Sequence, residues 1–399
     1  MKRATGALVA VALATAGCAS AVHPFASPPR TTSPSPSPSA FCGGTARATA
    51  GRPVLSAIQF VSASDGWAVG SDRIMHTTDG GRHWQAQFVA SPAAQLRSVD
   101  FTDARHGWVT GSTRLLATTD GGAHWRSLPE PCQPIRTVNF VNSRDGFAVA
   151  GGTAPDLSQP PFTAEPHTRG ILLRSTDGGL HWRRLPAPAD VQAACFSDLA
   201  KGWLGASGNI YGTVNGGRTW SLAIASRSAQ GLHGTAGLEC TGAGAAWAVV
   251  SGPGAGLGHV PQIGYHTSGT TWRPVFAEQY FPHPSASTRA ESPSSYPGPF
   301  SAVSPSQAVF LGWCPVCSAT SRPPEQRPVP EEVALRGGAT LVRGRFVAGL
   351  ARATGVAFVT VRDGWVVGIH QPSGATSMIV HTADGGRSWQ VQYTMGSAF

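Results

Sequence analysis

Charge is what this 399-residue chain has least of, since Asp, Glu, Lys and Arg together supply 13% of it. Long helices with charged outer faces are therefore not expected. Lysine is almost absent: Lys2 and Lys201 are the only two, so the formal charge of +9 rests on arginine, a bias that GC-rich coding or a guanidinium surface for acidic groups would each produce. No apolar run long enough to span a bilayer follows the first 16 residues, so no helix is expected to cross a membrane after the leader. Tyrosine is limited to five residues and acidic side chains to 21, which leaves little material for acid or nucleophile chemistry. What the chain does have is glycine (49), proline (32) and tryptophan (12), a mix suited to many short strands joined by tight turns.

The N-terminus has a distinct layout. Met1-Lys2-Arg3 precedes an apolar run and then Thr15-Ala16-Gly17-Cys18, the arrangement of a bacterial lipoprotein signal peptide, with Cys18 as the lipidated residue. Thr15 stands where an aliphatic residue is more usual, and Ala19-Ser20-Ala21 offers an ordinary secretory cleavage site instead. Either alternative puts the protein outside the cytoplasm, and the first anchors it to the outer face of the cell membrane. Residues 1–18 are thus read as signal, 19–50 as a Pro/Ser/Thr-rich tether and 51–399 as the folded body.

Within the body one unit recurs: an apolar strand (SAIQFVS, RSVDFTD, RTVNFVN), a Gly-aromatic strand (DGWAVG, HGWVTG, DGFAVA), an aliphatic strand, and an Asp-Gly-Gly turn leading to Trp. Each copy is a four-stranded antiparallel sheet of about 40 residues with two apolar faces, so it has to stack on its neighbours as a propeller blade. Units begin near Val54, Ala94, Pro134, Asp190, Leu232, Phe300 and Leu350, which makes an all-β propeller of seven blades. In the sixth, AVSPSQAVFLGW supplies only the first two strands and no Asp-Gly-Gly turn follows.

The turns resemble the Asp-box, or BNR, repeat. They carry Asp79, Asp120, Asp177, Asn215 and Asp384, each followed by Gly-Gly and then by Trp84, Trp125, Trp182, Trp220 or Trp389. Their expected role is structural: the carboxylate accepts N–H bonds inside its own turn, the glycines permit positive φ and the indole covers the neighbouring sheet. Asn215 keeps the acceptor oxygen without the charge, which a fold tolerates and acid catalysis does not.

Asp-box turns join third and fourth strands and so share one rim. Connections between second and third strands, and between blades, leave from the opposite rim, where long insertions fall in blades three, five and six and a shorter one in blade seven. Insertions gathered on one face mark a binding face. Arg73, Arg114 and Arg169 open the third strands of blades one to three, and Arg97 and Arg136 are equivalent to each other near the innermost strands. An arc of these five would suit carboxylate, phosphate or an acidic protein patch, and solvated surface arginines are the alternative.

Six cysteines remain beyond Cys18. Cys195 and Cys240 lie at or next to the same repeat position in adjacent blades, which suggests an inter-blade disulfide. Cys314 and Cys317 are expected to brace the sixth-blade insertion, leaving Cys42 for Cys132. His76, His266 and His381 share a third-strand position and so lie far apart around the ring. No metal or cofactor is expected.

Asp boxes also occur in sialidases, but no Arg-Ile-Pro segment precedes the first box and the acids of the insertion face show no pairing pattern. The composite V-x-F-x5-G-W-x-V-G, aliphatic strand, T-x-D-G-G-x-x-W resembles the photosystem II stability/assembly factor family most closely in blades one, two and seven. That resemblance implies an extracytoplasmic, non-catalytic scaffold with an arginine-rich patch. The resulting expectation is a monomeric lipoprotein propeller that binds a protein or surface glycan with acidic groups and no nucleic acid. A sialidase-like glycoside hydrolase or carbohydrate-binding protein is the alternative.

Overall fold

The computed structural model describes residues 54–395 apart from 92–93, 132, 153–169, 226–235, 252–261, 270, 279–290, 293–298, 313–328, 336–338, 346, 348 and 371–375. The predicted leader and tether, with Cys18, Cys42, Cys132, Cys314, Cys317 and Arg169, lie outside the described residues.

Seven antiparallel sheets follow one another in chain order, and each is built from four consecutive strands. In blade one these are Ala57–Phe60, Gly66–Gly70, Arg73–Thr77 and Gln85–Val89. The first strand of every blade faces the axis. Beyond Ala57–Phe60 these inner strands are Ser98–Phe101, Ile135–Phe140, Val191–Phe196, Ala236–Thr241, Phe300–Ser304 and Leu350–Phe358, and each packs on the next around a closed ring. Blade five has a short fifth strand, Glu291–Ser292, parallel to its outer strand.

Blade six is complete. Its third and fourth strands, Val329–Leu335 and Ala339–Arg343, follow the insertion and pair in regular register with Gln307–Gly312. Sequence patterning misses them because no Asp-Gly-Gly turn marks the hairpin. Glu331 and Glu332 lie within the third of the blade's four strands.

The buried side chains form seven clusters, each shared by two adjacent blades, so the core lies in the seams rather than within any sheet. The Gly-aromatic motif shows how a seam is built. Trp67 of blade one stacks on Phe101 of blade two at 3.6 Å, Trp108 on Phe140 at 3.5 Å, Phe147 on Phe196 at 3.4 Å, and Trp365 of blade seven on Phe60 at 3.6 Å. The other face of each Phe ring lies on the glycine that opens its own second strand. A Cβ on Gly107 would stand 2.3 Å from the Phe101 ring, which Trp67 holds from the far side. Gly107→Ala is accordingly expected to destabilise the fold by about 1–3 kcal/mol through overpacking, read as a lowered midpoint in chemical denaturation.

A polar link accompanies the aromatic one. The residue before the inner-strand Phe reaches the next blade: Gln59 Oε1 accepts the N–H of Phe101 at 2.6 Å, Asp100 Oδ2 that of Phe140 at 2.6 Å and Asn139 Oδ1 that of Phe196 at 2.7 Å. Glu239 Oε2 accepts from Ala302 at 2.7 Å and Ser301 Oγ from Phe358 at 3.0 Å. At the fourth seam the same two positions hold Cys195 and Cys240, and these form a disulfide. Ala357 occupies the position in blade seven, so the ring closes by other means. Thr354 Oγ1 donates to the Leu55 carbonyl at 2.7 Å, and Leu55 N–H donates to Ser377 Oγ at 3.1 Å.

Candidate functional site

Three places bear on function: the two rims and the axial channel. The Asp-box rim is built identically in five blades. In blade one Thr77 Oγ1 accepts the Gly81 N–H at 2.8 Å and donates to Asp79 Oδ1 at 2.9 Å, while the backbone N–H of His83 donates to the same oxygen at 2.9 Å. Gly80 and Gly81 sit at φ +73° and +85°, where a side chain would be strained. Asp120, Asp177 and Asp384 repeat this geometry, and Asn215 does so with Thr213 and Thr219. The His83 and His124 backbone N–H bonds, followed by contacts of their rings, hold Asp79 and Asp120 down to about 2. The Ser388 hydroxyl and N–H do the same for Asp384, also to about 2.

Trp84, Trp125, Trp182 and Trp220 each set an edge against their own blade's Phe at centroid distances of 5.9–6.1 Å. Trp389 packs in the seam between blades six and seven and donates to the Arg345 carbonyl at 3.3 Å. The boxes also tie neighbouring blades together. The Gly80 carbonyl accepts Trp365 Nε1 at 3.1 Å and Gln392 Nε2 at 2.9 Å from blade seven. Gly178 accepts Trp108 Nε1 at 2.9 Å, and Gly121 accepts Gln87 Nε2 at 2.9 Å. Every box carboxylate is spent inside its own turn.

On the opposite rim the four described arginines of the predicted arc separate into different states. Arg73 forms a two-bond pair with Asp72, Nε to Oδ1 at 2.9 Å and Nη2 to Oδ2 at 3.1 Å, so its charge is answered locally. Arg136 departs from its equivalence with Arg97: it lies inside the inner strand of blade three and is 8% exposed. Its Nε donates to the Gly151 carbonyl and its Nη2 to the carbonyls of Val191 at 3.1 Å and Gln192 at 3.3 Å. Burial, opposed by Asp190 and assisted by Arg97, lowers its pKa to about 10. This arginine is a tie between blades three and four. Arg97 is exposed, with Nη2 on Gln95 Oε1 at 2.9 Å, and Arg114 is half-buried in the turn before the third strand of blade two. Only these two of the predicted arc are neither fully buried nor bound to a carboxylate, among the described residues.

Sequence reasoning missed Glu130. It lies in the connection from blade two to blade three, its Oε1 is buried with no hydrogen-bond partner among the described residues, and burial raises it to about 7.

The axial channel, about 630 Å³, is lined by the inner strands of all seven blades. Its only charged side chains among the described lining residues are Asp100 and Glu239, two of the seam acceptors, and no base faces them. Burial raises both to about 7, against the lowering effect of the N–H bonds from Phe140 and Ala302. The signal for them was present in sequence, since Gln59, Asp100, Asn139 and Glu239 are polar residues at one position of an apolar strand. The third-strand histidines are dispersed: His76 holds Asp65 at 2.7 Å, His381 holds Asp363 at 2.6 Å and His266 meets the Pro305 carbonyl at 2.6 Å.

Comparison with known proteins gives a partial family match and several structural likenesses. A family model described as photosynthesis system II assembly factor YCF48 matches residues 49–144, which take in blades one and two and the inner strand of blade three. No curated protein matches the sequence. Among solved structures, a YCF48 bound to D1 peptide is 16% identical, with 79% of this chain and 90% of that one covered at a TM-score of 0.49. YCF48 from Cyanidioschyzon merolae is 17% identical over 74% and 84% of the two chains, with a TM-score of 0.41. An ancestral GH74 enzyme is 15% identical with a TM-score of 0.55; the match covers 88% of this chain and 48% of that enzyme, about half its length. At such identities the shared property is the propeller fold. The chain is a seven-bladed BNR-type β-propeller that resembles the YCF48 assembly factors.

Proposed function

We propose that this protein is a non-catalytic, extracytoplasmic propeller, lipid-anchored through Cys18, that binds an acidic segment of another protein on the rim opposite its Asp boxes. The observation that carries this reading is topological. The strands that bound the long second-to-third-strand connections of blades three, five, six and seven all end on that rim, where the inner strands also begin and where Arg97 is exposed. Loops collected at one end of a rigid scaffold are the usual seat of recognition. The family match over residues 49–144 supports a protein partner, as its description is of an assembly factor. Catalysis is not proposed, because the acids that the channel and the boxes contain are committed to seam and turn bonds.

The test is affinity capture after crosslinking in the native cell, comparing the wild type with Arg97→Glu/Arg114→Glu. Reversing two rim charges that meet carboxylates is expected to lower recovery of the captured partner by about tenfold or more. An unchanged set of partners in unchanged amounts would contradict the assignment to this rim.

A further inference from the structure

The Asp-box rim carries more than turns. Two repeat positions on it bear exposed arginine: the residue after the Gly-Gly pair, as Arg82, Arg218 and Arg387, and the residue two before the second-strand Gly, as Arg105, Arg144 and Arg362. Members of the second set are pinned by their backbones. The carbonyls of Arg105, Arg144 and Arg362 accept the N–H of box glycines Gly121, Gly178 and Gly385 at 2.9, 2.8 and 2.9 Å. The six guanidinium groups occupy blades seven, one, two, three and four, which are consecutive in the ring, and none forms an ion pair among the described residues. The acids beside them, several of them exposed, are engaged in local bonds: Asp103 with His106, and Asp198 with the backbone N–H groups of Ala200 and Lys201. Asp79, Asp120, Asp177 and Asp384 are bound in their boxes, and Asp65 and Asp363 hold histidines.

Apolar side chains share this rim. Val214 is 69% exposed where blades one to three carry Thr78, Thr119 and Thr176, and Leu199 in the facing loop of the same blade is 44% exposed. A small ligand or a short peptide would meet the cations of one or two blades. Cations spread over five blades, with aliphatic groups exposed among them, match an extended anionic surface that also has an apolar interior.

We propose that the Asp-box rim docks on an acidic lipid bilayer, the six arginines meeting anionic headgroups while Val214 and Leu199 enter the headgroup layer. This docking is separate from any lipid on Cys18 and leaves the insertion-bearing rim directed away from the membrane. It does not rest on the proposed protein partner.

The experiment is co-sedimentation of the full chain carrying Cys18→Ser with vesicles of phosphatidylcholine alone, or of phosphatidylcholine with about one third phosphatidylglycerol. Binding to the acidic vesicles only, lost at about 0.5 M salt, is expected. Arg82→Gln/Arg105→Gln/Arg144→Gln/Arg387→Gln should lower partitioning by at least about a hundredfold. Should that variant fail to fold by circular dichroism, Arg82→Gln and Arg144→Gln singly should each lower it by about fivefold. Leu199→Ser/Val214→Ser should weaken it severalfold with the salt dependence kept, and Arg97→Glu/Arg114→Glu should leave it unchanged. Four results would overturn the proposal: no binding to acidic vesicles, equal binding to neutral ones, loss of binding on changing Arg97 and Arg114, or binding to soluble heparin as tight as to vesicles with no effect of Leu199→Ser/Val214→Ser.

Discussion

Cys195→Ser/Cys240→Ser is expected to lower the unfolding free energy by about 2–4 kcal/mol. The bond closes a separation of 45 residues, for which loop-closure entropy alone amounts to about 4 kcal/mol. It also replaces, at one seam, the hydrogen bond that Gln59, Asp100, Asn139, Glu239 and Ser301 provide at five of the six others. Such a bond contributes about 1 kcal/mol net. Cys195→Asn/Cys240→Ser would supply the acceptor that Asn139 offers the Phe196 N–H and should recover about 1 kcal/mol of the loss. Urea denaturation of the wild type with and without reductant supplies the control: the reduced wild type should behave like the serine variant. Equal midpoints for all of them would mean that the fourth seam holds without its covalent link.

The second large effect is a dependence on pH that runs opposite to ordinary acid denaturation. Asp100 and Glu239 are raised to about 7 by burial in the channel wall, whereas free carboxyls titrate near 4. A raised folded-state pKa means that the native chain binds the extra proton between those values. Its stabilisation is complete below about pH 4 and is lost as pH rises through about 7. Both carboxyls keep partial access to the channel, so a loss on the order of 1–2 kcal/mol for each is expected between pH 5 and 8, less than the full shift would give. Asp79, Asp120 and Asp384, depressed to about 2, act in the other direction, and their contribution disappears only as pH falls from about 4 to 2. Stability should therefore peak near pH 4–5. Asp100→Asn, which copies the Asn139 acceptor without a titrating group, should flatten the fall above pH 5 and raise the midpoint at pH 8. A thermal midpoint that climbs from pH 5 to 8 would show that these carboxyls are ionised in the native seam.

Much of the fold was legible because the repeat writes its own geometry. Gly-Trp and Asp-Gly-Gly recur at fixed intervals, and each marks a specific contact: a glycine under a Phe ring, a side-chain oxygen accepting N–H bonds in its own turn. Val329–Leu335 and Ala339–Arg343 carry neither marker, so blade six could not be completed from pattern. Equivalence misled at Arg97 and Arg136. Side-chain burial there is set by the Gly151, Val191 and Gln192 carbonyls of surrounding loops and the next blade, and a repeat alignment contains no information about those contacts. The seam acceptors were present as letters, but one polar residue in a strand reads as ordinary alternation until the neighbouring backbone N–H is seen beside it. The box arginines were overlooked for a related reason, since recognising the turn as structural removed its rim from consideration.

If the two rims divide the work as proposed, site-specific photo-crosslinking in the native cell separates them directly. A photoreactive residue placed at exposed Thr113, on the insertion-bearing rim of blade two, should yield a discrete protein adduct, whereas the same group at exposed Thr78 or Thr119 beside the Asp boxes should yield lipid adducts and no discrete protein band. A protein adduct formed from Thr78 and Thr119 but absent from Thr113 would put the partner on the Asp-box rim and contradict the central claim.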